Sequence, residues 1–364
     1  MMTFNYITYD AWWDTDKTII PHLLKDYEVN VYVLTPKNHP KYNHKEIENV
    51  NLFVDTVFPY RDRDIRSAWF AIKYFYKLHS TVKRKGCVNY FVLGQNWYLL
   101  LMILFFLSSK NTIICLHNFD EHQDGDQRRF SPMTIVKNAF FRKFLCFHFH
   151  SRRQHELYQN KWGKNSFYTA MPLKDFGLPK KCHDNNKIYL LFFGMVRGYK
   201  RLDLLIEAMN MVSSDKLKVI IAGKCDNPEK YTKMMNDDKK FDCHFSFIDD
   251  NEVANYFIES DFLVLPYNDA TQSGPSLIAI NYGIPIISSD VEAFCDIVKD
   301  GYNGFTFKNG SAFSLAKVLA KVEKMQLEEI ELLKRNQTAF KMEYMKQNDI
   351  ANKFSTFIND YIII

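Results

Sequence analysis

Arg197 and Lys200 stand three residues apart in FFGMVRGYKRLD, residues 192–203, just past an apolar run. The run at 188–193 reads as a strand that Gly194 ends, and a helix is expected from near Arg201. Backbone N–H groups at a helix start lack intrahelical acceptors and carry partial positive charge. Two full cations added there suit a diphosphate. Taken alone, they fit solvated loop cations equally well. A second turn favours the diphosphate. In LPYNDATQSGPSLIAINYGIPIISSD, residues 265–290, a strand at 262–267 meets a polar loop at 268–273. Gly274 opens a helix, with Pro275 where a missing N–H costs nothing and Ser273 as cap. Gly274 also lets the backbone approach a ligand closely. Two donor-rich turns in one domain could hold one pyrophosphate between them.

The elements that position these turns alternate strand with helix. Strands are expected at 4–9, 29–35, 50–58, 88–94, 112–118 and 145–151, with a helix at 65–85 among them. LPKKCHDNN, residues 178–186, breaks the pattern with proline and polar residues. Strands resume at 188–193, 218–223, 245–248, 262–267 and 285–290. Helices are expected near 201–212, 229–236, 251–259, 274–282 and 312–324. The fold class is α/β: two doubly wound, Rossmann-like domains at 1–178 and 187–340, facing a cleft that takes ligands at the strands' carboxyl ends. Residues 341–364 are expected to form a helix that packs back on the first domain.

The totals narrow the class. The 364 residues are 47% hydrophobic and 24% charged, enough for two buried cores. Seven cysteines without C-x-x-C spacing argue against a disulfide framework and a zinc ribbon, and fit reduced cytosolic thiols. The start, MMTFNYITYD, has no signal-peptide pattern, so a cytoplasmic place is expected. The run YLLLMILFFL at 98–107 is too short to span a bilayer, which takes roughly 20 residues. It reads as a buried helix, or as one resting on a membrane. Residues 1–180 hold 25 Lys and Arg against 16 Asp and Glu, a net +9, while the remainder is −4. A basic half favours anionic lipid or a phosphate-bearing acceptor, or is a solvated surface. No nucleic-acid-binding motif appears. His148 and His150 share a strand face, but no third metal ligand lies near in sequence, so no metal is expected.

Five segments in order resemble the GT-B glycosyltransferases of family 4, the retaining group 1 enzymes. They are LLFFGMVRGYKRLDLLIEAM, KVIIAGKCD, DDNEVANYFIESDFLVLPYNDATQSG, YGIPIISSD and KDGYNGFTFKNGSAFSLAKVL. The match is thinner in the first half, resting on IICLHNFDEH (113–122) and FHFHS (147–151). The resemblance implies a nucleotide-diphosphate sugar donor, no cofactor and no metal. It places Arg197 and Lys200 on the donor phosphates, with Gly194, Gly223, Gln272, Ser273 and Gly274 around them. His117 is implied in catalysis, and Asn118 and His122 in acceptor binding.

Two departures stand out. Family members often carry two glutamates eight residues apart, the later one holding ribose; Ala270 and Ile278 occupy those positions here, as in an ATQSG variant branch. The family's glycine-rich loop after the first strand is DAWWDTDKTII here, which points Trp13 and Asp16 towards acceptor contacts. The implied function is hexose transfer to a lipid-linked or oligosaccharide acceptor in surface polysaccharide synthesis, lipopolysaccharide or capsule, at the inner membrane face. A sugar-nucleotide epimerase and an inactive scaffold are the alternatives.

Overall fold

The computed structural model describes residues 1–36, 47–58, 65–93, 97–116, 132–179, 187–270 and 272–363. They form two compact units, Met1–Pro172 with Asn348–Ile364, and Leu173–Gln347. Residues 180–186 of the expected linker lie outside the described residues.

The first unit is built on β1 (Met2–Tyr9), β2 (Tyr27–Pro36), β3 (Asn51–Phe58), β4 (Cys87–Val92), β5 (Thr112–Leu116), β6 (Cys146–Phe149) and β7 (Asn165–Tyr168). The sheet is parallel, in the order β3-β2-β1-β4-β5-β6-β7. β4, β5 and β6 are buried along their whole length, which their continuous apolar runs anticipate. Helices Ile65–Val82, Trp97–Phe106 and Pro132–Lys143 cover one face. Helices Trp13–Leu23 and Ile350–Tyr361 cover the other. Phe354 of the last helix sits against Phe4, Tyr90, His148 and Phe167. Of the 98–107 run, Leu100, Ile103 and Leu107 are buried. Among the described residues no helix is long and apolar enough to cross a membrane.

Four asparagines form a ladder across this sheet. Asn51 donates to Asn30 (3.0 Å), Asn30 to Asn5 (3.1 Å) and Asn5 to Asn89 (2.9 Å). Asn89 then donates to the Val82 carbonyl at the end of the 65–82 helix. Each amide pair is also a register pair of the strands.

The second unit is built on β8 (Ile188–Phe193), β9 (Leu217–Ala222), β10 (Phe241–His244), β11 (Phe262–Leu265), β12 (Ile286–Ser289) and β13 (Gly304–Phe307). Its order is β10-β9-β8-β11-β12-β13, again parallel. Helices Leu202–Met211 and Ala312–Glu323 bury one face. Helices Asp250–Ile258 and Gly274–Tyr282 bury the other. The strand order reverses between β8 and β11, the crevice where doubly wound sheets bind ligands.

Candidate functional site

Both sequence-predicted turns lie at that reversal. β8 ends at Gly194, whose φ of 92° suits glycine. Residues Gly198–Lys200 make one 3-10 turn, and Arg201, at φ 52°, starts the helix. The turn rolls Lys200 inward, to 7% exposure. Its Nζ lies 3.4 Å from the Phe193 carbonyl and 5.6 Å from the centre of the Tyr267 ring. Burial, and to a smaller degree the neighbouring Arg197 guanidinium, lower its pKa to about 8. An ammonium held this way gains when an anion arrives.

The β11 turn meets it from the other side. The Asn268 N–H donates to the Tyr199 carbonyl at 2.9 Å, tying the two turns together. Tyr199 and Tyr267 meet edge to face at 5.6 Å. Ser273 caps the Gly274–Tyr282 helix by accepting from the Ser276 N–H. A side chain on Gly194 would meet both Lys200 Nζ, at 3.0 Å, and Pro275 Cγ, at 3.8 Å. The buried ammonium, the glycine and the helix's first turn thus share one small space. No acid stands in that first turn. The Gln272 amide nitrogen is buried with no hydrogen-bond partner among the described residues. Lys200 and the helix start thus meet where an anion would sit.

Arg197 takes a different position. Its guanidinium is half-exposed and pairs with Asp226 at 3.4 Å. Exposed pairs of this kind contribute about 0–1 kcal/mol, so a ligand phosphate can displace the carboxylate. Gly223, at φ 150°, packs backbone on backbone: a Cβ there would fall 2.3 Å from the Gly194 carbonyl oxygen. Ile278 is buried in the core of the second unit, and Ala270 is half-buried.

Sequence reasoning missed Lys174. Its Nζ lies 3.7 Å from the place of a Cβ on Gly274, at the same helix start. Tyr282, at the far end of that helix, accepts from the Phe176 N–H and donates to Asp175 and the Gly177 carbonyl. That latch fixes the segment from which Lys174 reaches back. The signal available in the sequence is only a lysine in PLKDF, with nothing to show which helix it meets.

In the first unit, Trp13 and Asp16 are not on an open loop. The 3-10 turn Asp10–Trp12 joins β1 directly to the Trp13–Leu23 helix. Trp13, Asp16, Ile20 and Leu23 recur on one helix face and are all fully buried. Asp16 accepts from the hydroxyls of Tyr6, at 2.7 Å, and Thr8. That spacing was the signal for an interior position, and it replaces the expected acceptor-facing loop.

Cys115, His148 and His150 bring metal-capable atoms within 4.8 Å of one another. His148 uses both ring nitrogens on hydroxyls, Tyr90 at 2.6 Å and Thr169 at 2.8 Å. Burial drives the pKa of His150 down to about 4. The cluster is a hydrogen-bonded core network. His117, Asn118 and His122, with Thr271, lie outside the described residues.

Residues 176–340 match the family of glycosyl transferases group 1. The second unit is therefore a group 1 glycosyltransferase domain, and the whole chain has the GT-B fold. Among solved structures, sucrose-phosphate synthase of Thermosynechococcus elongatus superposes with a TM-score of 0.76 at 14% identity, over 99% of both chains. HepE of Anabaena, in complex with UDP, gives 0.70 at 13% identity, over 99% of this chain and 100% of that one. WaaG, a glycosyltransferase involved in lipopolysaccharide biosynthesis, gives 0.67 at 13%, over 98% and 99%. By sequence, an uncharacterised protein of the Klebsiella pneumoniae cps region is 26% identical over 129 residues, 34% of this chain. The GDP-mannose:glycolipid 4-beta-D-mannosyltransferase of Xanthomonas campestris is 25% identical over 130 residues, 35% of this chain. These matches span 35% and 37% of the relatives' own lengths.

Proposed function

We propose that this protein is a retaining glycosyltransferase that moves a hexose from a nucleoside-diphosphate sugar to a lipid-linked glycan in surface-polysaccharide synthesis. One observation carries the reading: the buried Lys200 ammonium lies between Gly194 and the first turn of the Gly274–Tyr282 helix. The UDP complex of HepE supports a nucleoside diphosphate at this fold, and the Xanthomonas relative's name supports a glycolipid acceptor.

The chemistry follows from charge. As the glycosidic bond breaks, the sugar becomes cation-like and the diphosphate gains negative charge. Lys200, the helix start and the Gln272 amide meet that charge with donors already in place, so nothing needs to reorganise during the step. Arg197 exchanges Asp226 for a phosphate oxygen and closes the grip. The acceptor hydroxyl attacks from the leaving-group side. Neither a metal nor a cofactor is required in this scheme. With a lipid-linked acceptor, the enzyme works as a peripheral protein on the inner membrane face.

The test is turnover of a UDP-, GDP-, ADP- and dTDP-sugar panel on a lipid-linked acceptor. Lys200→Ala is expected to lower kcat by roughly 10²–10³, the range for losing one preorganised donor. Arg197→Ala is expected to lower it as well, with the fold intact by circular dichroism. Near-normal rates in both variants would falsify the assignment.

A further inference from the structure

The donor grip uses none of the outer layer of the first unit, yet that layer has an unusual surface. The Ile65–Val82 helix carries two apolar stripes. Ala71, Tyr74, Phe75, Leu78 and Val82 face the core. Trp69, Ile72 and Tyr76, at i, i+3 and i+7, lie on the opposite side. Trp69 is 67% exposed and Tyr76 85%. The Trp97–Phe106 helix beside it adds Phe105 at 71%, and the Pro132–Lys143 helix beyond that one adds Ile135 at 69%. Single exposed apolar residues are ordinary, but an aromatic stripe set against a helix's buried face marks a contact surface.

Charge identifies what it contacts. Residues 65–119 contain seven Lys and Arg and no Asp or Glu. Lys73 and Lys77 are exposed beside the stripe, and Lys83 continues it. Trp and Tyr favour the boundary between headgroups and acyl chains, while lysines keep their ammonium groups among lipid phosphates. A protein partner would leave so uniform a charge unmatched unless it were strongly acidic. The long Leu327–Gln347 helix of the second unit shows the contrast, since its exposed Leu332, Met342 and Met345 sit among charges of both signs.

We infer that the outer face of the Ile65–Val82 helix, continued by Phe105 and Ile135 on the two helices that follow it in the layer, docks on an anionic lipid bilayer. This rests on the lipid-linked acceptor proposed above and gives it a surface.

The experiment is co-sedimentation of the full chain with vesicles of phosphatidylglycerol and phosphatidylcholine, against phosphatidylcholine alone. The wild type is expected to bind the anionic vesicles and to lose binding at high salt. Trp69→Ser/Tyr76→Ser and Lys73→Gln/Lys77→Gln are each expected to weaken binding about tenfold or more. These positions are exposed, so melting temperature and donor affinity should not change. Undiminished binding in both double variants overturns the inference, as does equal binding to neutral vesicles. So does a dimer that the serine variant dissolves, which would assign the face to a second copy. Donor binding on the same preparations tests the transferase reading separately: losing it leaves the membrane result intact, and the reverse.

Discussion

The two units share a strand order around their first four strands, yet treat the first helix after the central strand in opposite ways. In the first unit, the Trp13–Leu23 helix that follows β1 turns its own Asp16 inward, where the β1 hydroxyls of Tyr6 and Thr8 donate to it. That unit supplies its own acidic group to the helix's buried face. In the second unit, the turn after β8 brings in a lysine, and the facing helix start carries no acid. On the proposed function, an anion from outside completes that arrangement. On that proposal the same scaffold serves as closed structure in one place and as a receptor in the other, with buried side chains of opposite sign at the two places.

Removing the two buried groups should separate their roles most strongly. Asp16→Ala leaves two buried hydroxyls without their acceptor, and is expected to cost about 2–4 kcal/mol of stability in urea unfolding. Donor affinity should not move; a weakened donor with unchanged unfolding would break the contrast. Lys200→Met should do the reverse. Because the native pKa of Lys200 is lowered, the penalty for holding it charged is fully present below about pH 8 and is relieved as pH rises towards 10.5. At pH 7 the substitution should therefore stabilise the protein, by up to about 3 kcal/mol, while turnover falls. A destabilised, active Lys200→Met protein would refute the receptor role. The smallest effect is on pH. The diphosphate favours the charged amine, so donor Kd should weaken about tenfold from pH 7 to pH 9. In Lys200→Met that slope should vanish, as calorimetry at both pH values would show.

Much of this was legible in the sequence. Near-continuous apolar runs marked β1, β8 and β11, and Gly274, Pro275 and Ser273 marked the start of a helix that runs from Gly274 to Tyr282. Where legibility failed, the cause was physical. The strand expected at 245–248 is Phe241–His244 instead, because its neighbour β9 pairs with the more polar FDCH rather than the apolar residues after it. β7 and β13 are short edge strands whose four residues carry little pattern of their own. By residue type the bulky and acidic side chains of DAWWDTDKTII suggest a loop, whereas their helical spacing matches the Trp13–Leu23 helix. The site's main cation was visible, whereas Lys174 depended on a latch more than a hundred residues away in sequence.

The asparagine ladder of the first unit has a consequence for assembly. Parallel strands joined by distant crossovers can dock one step out of line, and apolar side chains alone oppose such a slip only by facing the wrong way. Here a slipped strand would also strand amides at Asn5 and Asn89, which are fully enclosed, with nothing to bond. The row therefore acts as an alignment check during folding: each amide pair forms only when its two strands arrive in step, and the row joins four strands drawn from 85 residues of chain.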